Sequence, residues 1–441
     1  MLSKTDNELL TRVGPGTLMG GLLRQYWQPV LLTWELAEPD GAPVRVRLLG
    51  EDLIAFRDTS GRPGLIANAC PHRGASLFFG RNEEDGLRCV YHGWKFDVTG
   101  ACIDMPNEPV ESNFKHKIQA TAYPCREQGG IIWAYLGPAG QEPGLPELEW
   151  TTVPENQRYV TKRYHECDWA QALEGDIDSS HVGFLHSALE NGKRTVPITV
   201  TGQGRERGNY ITEDSQPRFE TLETDYGVLI GARRNAGEDS YYWRVTTFVM
   251  PFYAITPPTG DTPVHVNVWT PVDDTHTLVW SVDFHGARPL TEREVKDLES
   301  GRAAHAPIDG FLPATSAPAG RWRTMANGDN DFMVDRQAQR TSSFTGLEGF
   351  WRQDRGIIES MGPVMDRTKE HLGWSDTAVI QVRRVLLRAA RALQQGQRPP
   401  GLDPSSQRVR SAAMVLPRET PWIEQARTLA AVRPGVWTTA P

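Results

Sequence analysis

The chain has 441 residues, a formal net charge of −8 and a hydrophobic fraction of 39%. This length exceeds that of one small domain and predicts two or three domains with sizeable cores. The acidic balance and the lack of a basic run exclude a typical nucleic-acid-binding protein. No apolar stretch is long enough to span a membrane, and the N-terminus lacks the pattern of a signal peptide. We therefore expect a soluble cytoplasmic protein.

The first third of the chain is rich in short strand patterns. Val44–Leu48 alternates between apolar and polar residues, residues 53–56 form a second run, and residues 131–136 have the composition of a closing strand. A Pro/Gly/Glu-rich linker follows at residues 137–146. These patterns predict three units: an N-terminal segment at residues 1–38 that packs on the last unit, an all-β domain at residues 39–140, and a further domain at residues 141–441.

The remainder of the chain combines helical and strand patterns. The pattern becomes helical between residues 164 and 186, where Trp169, Leu173, Ile177 and His181 follow one another at intervals of four. Residues 241–255 are a long β-prone run, and residues 265–284 predict a hairpin. Residues 376–396 present one apolar face at helical spacing, and the sequence Pro-Pro-Gly follows. We therefore expect an α+β domain in which helices pack on an antiparallel sheet.

Two Cys–His pairs stand out in the all-β part. Cys70-Pro-His72 is followed sixteen residues later by Cys89-Val-Tyr-His92. This is the ligand pattern of a Rieske [2Fe–2S] centre, in which two thiolates hold one iron and two imidazoles hold the other. Gly74 and Gly93 allow a tight turn beside each pair. The four residues therefore predict a cluster that carries single electrons.

A zinc site is the alternative for the same four residues, because Cys2His2 suits tetrahedral Zn2+. Zinc fingers, however, usually pair Cys with Cys and His with His along the chain, whereas each half here contributes one of each. The other cysteines show no ligand spacing, and we expect them to be small buried side chains: Cys102, Cys125 and Cys167.

A second constellation contains Asp178, His181 and His186. Two histidines and a carboxylate are the ligand set of non-haem Fe(II) oxygenases, which leaves positions open for O2 and substrate. On an ideal helix the two histidines would lie about 140° apart, so one metal can bind both only if the helix distorts or ends between them. A π-bulge or Gly183 would provide that distortion. The alternative is one core histidine and one surface histidine.

Together the motifs resemble the α subunits of the Rieske non-haem iron aromatic ring-hydroxylating oxygenases, over essentially the whole chain. The family pattern D-x-x-H-x-x-x-x-H matches at Asp178, His181 and His186. The implied fold is an all-β Rieske domain followed by a helix-grip-like α+β catalytic domain. The implied cofactors are a [2Fe–2S] cluster and a mononuclear Fe(II). The family begins this helix with Asn-Trp, whereas this sequence has Asp168 before the Trp, at a position that is not an iron ligand.

The third iron ligand implied by the resemblance is a carboxylate far downstream. In relatives it follows an aromatic pair and precedes a Glu by five residues. The matching segment is Phe350-Trp-Arg-Gln-Asp354 with Glu359, with a one-residue shift after the aromatic pair. This assigns Asp354, with Asp335 and Asp366 as alternatives.

The resemblance also implies an assembly and an electron path. The family forms ring-shaped homotrimers, stacked in some members, in which a buried Asp joins the two metal sites across the subunit interface. Asp178 is the matching residue, and it would link His92 of the partner subunit to His181. The electrons come from NAD(P)H through a separate flavin and iron–sulfur reductase. No G-x-G-x-x-G follows a strand in this sequence, so the nucleotide site is expected on that reductase.

The segment from residue 331 to 376 resembles the phthalate 4,5-dioxygenase branch of the family, which implies an aromatic dicarboxylate substrate. Such a dianion needs fixed cations, and Arg matches a carboxylate in bidentate fashion. Arg244 interrupts a mostly apolar strand face and is the first candidate, with Arg207 second. Arg233 and Arg234 are rivals. An internal salt bridge is the alternative for each of them.

Other functions stay open at this point. The same machinery could act on isophthalate or a chlorobenzoate, or could remove an O-methyl group. The non-enzymatic alternative is a Rieske electron carrier with an inert second domain.

Overall fold

The computed structural model describes residues 1–196, 210–258, 261–301, 309–317 and 319–432. Within these ranges, no helix is both long enough and apolar enough to cross a membrane. The described helices are, in chain order, α1 (Lys4–Thr11), α2 (Leu18–Leu23), α3 (Glu149–Thr152), α4 (Trp169–Ile177), α5 (Val182–Leu185), α6 (Glu292–Glu299), α7 (Arg336–Thr341), α8 (Phe350–Ser360), α9 (Thr377–Gln394) and α10 (Trp422–Ala430).

Short antiparallel strands build the first part of the molecule. They are β1 (Trp27–Leu32), β2 (Val44–Leu48), β3 (Glu51–Arg57), β4 (Pro63–Ala67), β5 (Arg81–Glu83), β6 (Gly86–Arg88), β7 (Lys95–Phe96), β8 (Cys102–Asp104), β9 (Ala122–Tyr123), β10 (Cys125–Gln128) and β11 (Ile131–Tyr135). They form sheets in the orders β2-β3-β4-β9, β5-β6-β7-β8 and β1-β11-β10. The strands predicted at residues 44–48, 53–56 and 131–136 are confirmed, the last ending at Tyr135.

The N-terminal segment contacts both halves of the molecule. Helices α1 and α2 pack against α9, near the other end of the chain. Strand β1 pairs with β11 in antiparallel register, Trp27 opposite Tyr135. The domain boundaries at residues 38 and 140 stay predictions.

A large antiparallel sheet dominates the second part. The described strands continue as β12 (Arg158–His165), β13 (Ala188–Glu190), β14 (Lys193–Thr195), β15 (Arg218–Glu223), β16 (Gly227–Asn235), β17 (Ser240–Val249), β18 (Tyr253–Thr256), β19 (Val264–Asp273), β20 (His276–Phe284) and β21 (Ala412–Pro417). The sheet order is β12-β20-β19-β18-β17-β16-β15, and β21 pairs with β17. Because α4 and α9 pack on this sheet and α8 packs on α4, the α+β prediction is confirmed.

Two predicted elements differ from the structure. The helix expected from residue 164 begins at Trp169, because Tyr164 and His165 still pair with β20 and Asp168 caps the helix through the N–H groups of residues 170 and 171. The β-prone run at residues 241–255 is two strands, β17 and β18, that pair with each other. The hairpin β19–β20 and the helix α9 are confirmed.

The position of α4 determines where the second site lies. Its buried side chains, among them Trp169, Leu173 and Ile177, join one core with the inner face of the sheet. The helix contacts β19 on one side and α8 on another. The end of α4 is therefore held between the sheet and α8, where the histidines follow.

Candidate metal centres and substrate pocket

The two Cys–His loops have the same backbone geometry. In each, the cysteine N–H donates to the carbonyl five residues later at 2.8 Å, and the N–H of the glycine four residues later donates back to the cysteine carbonyl at 2.9 Å. Those glycines, Gly74 and Gly93, have φ of 76° and 81°. Residues with a Cβ rarely adopt this backbone conformation. Glycine at these two positions therefore explains the predicted tight turns.

The four candidate ligands converge at the tips of these loops. Cys70 and Cys89 are each 3% exposed. The rings of His72 and His92 lie 4.4 Å apart, and Trp94 stacks on His72 at the same distance. The Nδ1 atom of His72 is buried and has no hydrogen-bond partner within the described ranges. Two buried thiols beside two imidazoles, one with an unsatisfied nitrogen, fit a [2Fe–2S] cluster with mixed ligands.

The remaining cysteines behave as the sequence predicts. Cys102, Cys125 and Cys167 are free and buried. Burial raises the pKa of the Cys125 thiol to about 12, so this group stays neutral. These side chains pack as small apolar groups.

The helical geometry is interrupted in the segment that contains His181 and His186. Helix α4 ends at Ile177, and the Asp178 carboxylate accepts the N–H groups of Ser180 at 2.7 Å and His181 at 3.2 Å. The single turn of α5 then separates the two histidines. The expected distortion is present, but its location differs from the prediction: α5 ends at Leu185, so His186 leaves helical geometry, whereas Gly183 lies inside α5.

Three candidate iron ligands face one point. Nε2 of His186 lies 3.2 Å from Nε2 of His181 and 3.2 Å from Oδ1 of Asp354. The distance between His181 Nε2 and Asp354 Oδ1 is 3.6 Å. These separations suit ligand atoms that each bond one metal ion at about 2.0–2.2 Å. The set is the two-histidine, one-carboxylate arrangement that leaves other coordination positions open.

Helix α8 carries the carboxylate and also supports the histidine opposite it. Phe350 stacks on the His186 ring at 3.9 Å and 17°. Gln353, which the sequence analysis missed, accepts from His186 Nδ1 at 2.8 Å. Its only sequence signal is its place directly before the Asp354 position. The alternatives for the carboxylate serve elsewhere: Asp335 caps α7, and Asp366 binds Thr368 and Lys369 at the surface.

Asp178 lies next to this site and contacts His181. Its Oδ2 is 3.3 Å from Nδ1 of His181. Burial alone would raise the pKa of Asp178, but the hydrogen bonds from His181 and Ser180 outweigh it and the pKa is lowered. The loop is braced by buried Arg234, which donates to the Ser179 carbonyl at 2.7 Å. Arg234 therefore has a structural partner.

A cavity of about 290 Å³ opens onto the same residues. Arg244 on β17 lines it together with His181 and Asp354. The Arg244 Nε is buried and has no hydrogen-bond partner among the described residues, and burial lowers the pKa of its guanidinium. Arg233 instead stacks on Tyr241 at 4.2 Å. Arg207 lies outside the described residues.

The cavity has a polar wall that the sequence analysis missed. His265 on β19 bonds Asp283 on β20, with Nδ1 and Oδ2 2.8 Å apart. Asp176 on α4 accepts from the indole N–H of Trp269 at 3.0 Å, and burial raises the pKa of this carboxyl. His265, Asn267 and Trp269 line the cavity at period two along one strand. That alternation is visible in the sequence and could have identified the wall.

Comparisons with known proteins agree with this arrangement. Residues 26–119 match the Rieske [2Fe-2S] domain family, and residues 134–434 match the family described as LigXa C-terminal domain like. The phthalate 4,5-dioxygenase oxygenase subunit of Pseudomonas putida is 40% identical over 90% of this chain and 88% of its own. The 3-chlorobenzoate-3,4-dioxygenase oxygenase subunit of Comamonas testosteroni is 38% identical over 95% and 96%.

A solved structure shows the same fold at lower identity. An oxygenase variant in complex with ferredoxin, from carbazole 1,9a-dioxygenase, aligns with a TM-score of 0.56 at 18% identity, over 89% of this chain and 96% of its own. The sequence matches, at about twice that identity, extend over both parts of the molecule. The chain therefore belongs to the Rieske non-haem iron oxygenases, as an oxygenase component with a Rieske [2Fe–2S] domain and a catalytic domain of the group that hydroxylates or demethylates aromatic compounds.

Proposed function

We propose that the chain is the oxygenase component of a dioxygenase for an aromatic dicarboxylate, with phthalate converted to its cis-4,5-dihydrodiol as the first choice. The observation that carries the proposal is Arg244, a buried cation with an unsatisfied Nε in the cavity that His181 and Asp354 also line. A buried charge needs a partner, and a substrate carboxylate would provide one. The 40% identical phthalate 4,5-dioxygenase subunit supports this choice.

The metal ligands follow from the two convergent sets. Cys70, His72, Cys89 and His92 would hold the [2Fe–2S] cluster. The mononuclear iron would be held by His181, His186 and Asp354. When bound, the cluster passes single electrons and the iron activates O2. The overall reaction consumes substrate, O2, two electrons and two protons, and both oxygen atoms enter the dihydrodiol.

The chain's own residues bind and orient the substrate. Arg244 would fix one carboxylate in bidentate fashion, which also fixes the orientation of the ring. Aromatic and aliphatic side chains of α8 that line the same cavity, Phe350, Trp351 and Ile358, would contact the ring and exclude water. The distance between the carboxylate anchor and the metal site then selects which ring carbons face the three ligands.

Electron entry would involve a second copy of the chain. We assign Asp178 as the bridge between His181 and His92 of the partner subunit, in a homotrimer. A carboxylate that accepts an N–H from each imidazole orients both rings. Val90 and Tyr91 beside the cluster are 58% and 56% exposed, so the loop offers an apolar surface for contact. The electrons would come from a separate NAD(P)H-dependent reductase, as a relative solved with ferredoxin suggests.

A second candidate substrate class is an aromatic monocarboxylate. Arg244 is the only arginine among the described residues that line the cavity, and one cation suits one carboxylate. The 3-chlorobenzoate-3,4-dioxygenase subunit is 38% identical to the chain. Isophthalate and aromatic substrates with a removable O-methyl group are further candidates for the same cavity.

The deciding experiment measures reductase-driven O2 uptake and product formation with phthalate, isophthalate, 3-chlorobenzoate and benzoate. Phthalate-selective uptake, matched by dihydrodiol, supports the proposal. Preference for 3-chlorobenzoate would replace the substrate with the monocarboxylate class. A parallel His181→Ala variant tests the catalytic site: loss of product with the cluster intact would exclude a simple electron carrier, whereas product formation that persists would reject His181 as an iron ligand.

A further inference from the structure

We propose that Gln353 is a positioning residue that fixes the tautomer and the ring orientation of His186. Nothing in the sequence motif assigns a role to this glutamine. The inference rests on the proposed iron ligands and deepens that assignment, because it explains how one ligand is held in a metal-binding state.

The orientation of the Gln353 amide is determined by its other contact. Its Nε2 donates to the backbone carbonyl of Leu347 at 3.0 Å, a bond that only the NH2 end can make. The Oε1 end therefore faces His186 Nδ1, at 2.8 Å. Because a carbonyl oxygen only accepts, Nδ1 must carry the proton. The neutral ring then presents the lone pair of Nε2.

That Nε2 is the atom that approaches the other candidate ligands. It lies 3.2 Å from both His181 Nε2 and Asp354 Oδ1. The hydrogen bond at the far side of the ring thus leaves the correct nitrogen free for a metal. Partners of this kind fix the tautomer and the orientation of metal-bound histidines.

One face of α8 provides the whole support. Gln353 and Asp354 follow Phe350 by three and four residues, so both side chains lie on the side of the helix that Phe350 occupies. Phe350 restricts the tilt of the His186 ring by stacking, and Gln353 restricts its rotation by hydrogen bonding.

The two histidines also differ in the charge of their partners. His181 faces the carboxylate of Asp178 at 3.3 Å, whereas His186 faces a neutral amide. A carboxylate partner raises the basicity of an imidazole ligand, and an amide does so less. Gln353 therefore orients His186 without adding a negative charge beside Asp354.

The test compares Gln353→Leu, Gln353→Met and Gln353→Glu in the full chain with its Rieske cluster intact. The mononuclear site is emptied with a chelator and titrated with Co(II), whose visible absorption reports coordination geometry. Leu and Met remove the acceptor and keep the volume, while Glu retains an acceptor for Nδ1. Gln337, exposed on α7, gives the matched control as Gln337→Leu.

Loss of the acceptor should weaken Co(II) binding about 10–100-fold and change the Co(II) spectrum. Gln353→Glu should restore most of the affinity, and Gln337→Leu should match the wild type. Wild-type affinity in Gln353→Leu and Gln353→Met would overturn the inference, as would equal loss in all three Gln353 variants, because packing alone would explain that result. Failure of the wild-type protein to bind Co(II) would instead overturn the iron assignment itself.

Discussion

The carboxylate of Asp178 holds His181 at two points, through the ring Nδ1 at 3.3 Å and through the backbone N–H at 3.2 Å. The first prediction concerns this pair. Asp178→Asn retains the size of the side chain and loses its charge. The one amide oxygen can still accept the Ser180 N–H and hold the turn, while the His181 ring loses its carboxylate partner. Turnover should fall about 10–100-fold.

The measurement for Asp178→Asn is the rate at which the chemically reduced cluster is reoxidised by O2 in the presence of substrate. The visible spectrum of the cluster should not change, because Asp178 is not among the cluster ligands. A reoxidation rate equal to that of the wild type would reject the bridge assignment.

Arg244 should dominate recognition of the substrate carboxylate. Arg244→Met removes the charge from the cavity, and a lost charge-assisted hydrogen bond contributes about 2 kcal/mol, which corresponds to a roughly 30-fold decrease in kcat/KM. Arg244→Lys should recover only part of that loss, since a lysine cannot bind a carboxylate in bidentate fashion.

Steady-state kinetics with the preferred aromatic carboxylate give the measurement for Arg244. Arg233→Met is the matched control, because Arg233 stacks on Tyr241 and does not line the cavity. If the two methionine variants lose the same activity, Arg244 has no specific role in binding.

The two loop glycines should differ in their tolerance of a side chain. A Cβ at Gly93 would lie 2.6 Å from Pro106 Cγ, whereas nothing lies within 4 Å of a Cβ at Gly74. Both substitutions carry the left-handed backbone penalty of about 1–2 kcal/mol. Gly93→Ala should therefore lose more cluster than Gly74→Ala, as measured by iron and acid-labile sulfide per chain. Equal cluster content in both variants would contradict the steric explanation.

A buried ion pair connects the N-terminal segment to the large sheet. Lys162 on β12 and Glu35 are each 1% exposed and bond each other. Lys162→Met leaves the buried Glu35 carboxylate with only the more distant, half-exposed Arg321 as a cationic partner, at 3.9 Å. It should therefore lower the free energy of unfolding by about 3 kcal/mol, the lower end of the range for a broken buried ion pair. The double variant Lys162→Met with Glu35→Gln removes both charges and should recover part of the loss.

Denaturant unfolding measures this effect, with Lys369→Met as the control because Lys369 is exposed at the surface. A Lys162→Met protein as stable as the control would show that Glu35 finds another partner or takes up a proton.

The sequence was sufficient for those features that depend on local pattern. The β19–β20 hairpin follows from two β-prone runs around a short turn, and α9 follows from a single apolar face. The start of α4 at Trp169 can be predicted only if the strand pairing that competes with the helix is recognised. Tyr164 and His165 fit a helical spacing, yet their strand pairing with β20 prevails because it buries both side chains in the sheet.

The candidate site was predictable in its residue types and less so in its geometry. Motif spacing identified His181 and His186, but only the tertiary structure shows that their Nε2 atoms lie 3.2 Å apart. Gln353 was missed because its partner His186 is distant in the sequence. His265 and Asp283 lie opposite each other in the predicted β19–β20 hairpin, and they were missed because the register of that hairpin was not predicted. Hydrogen bonds between remote elements leave no periodic signal in a single chain.

Two kinds of element line the cavity of the catalytic domain: α8 contributes side chains and a candidate metal ligand, and the strands contribute side chains but no metal ligand. The candidate metal ligands and their supports lie on α8 and the turn around α5, whereas the cavity wall with Arg244, His265 and Asn267 lies on the strands. Replacing a strand residue can therefore reshape the cavity without moving a ligand atom. This modularity makes substrate range the part of the enzyme that can diverge fastest, and relatives named for phthalate and for 3-chlorobenzoate fit that expectation. For engineering, the strands are the place to vary and α8 is the place to leave intact.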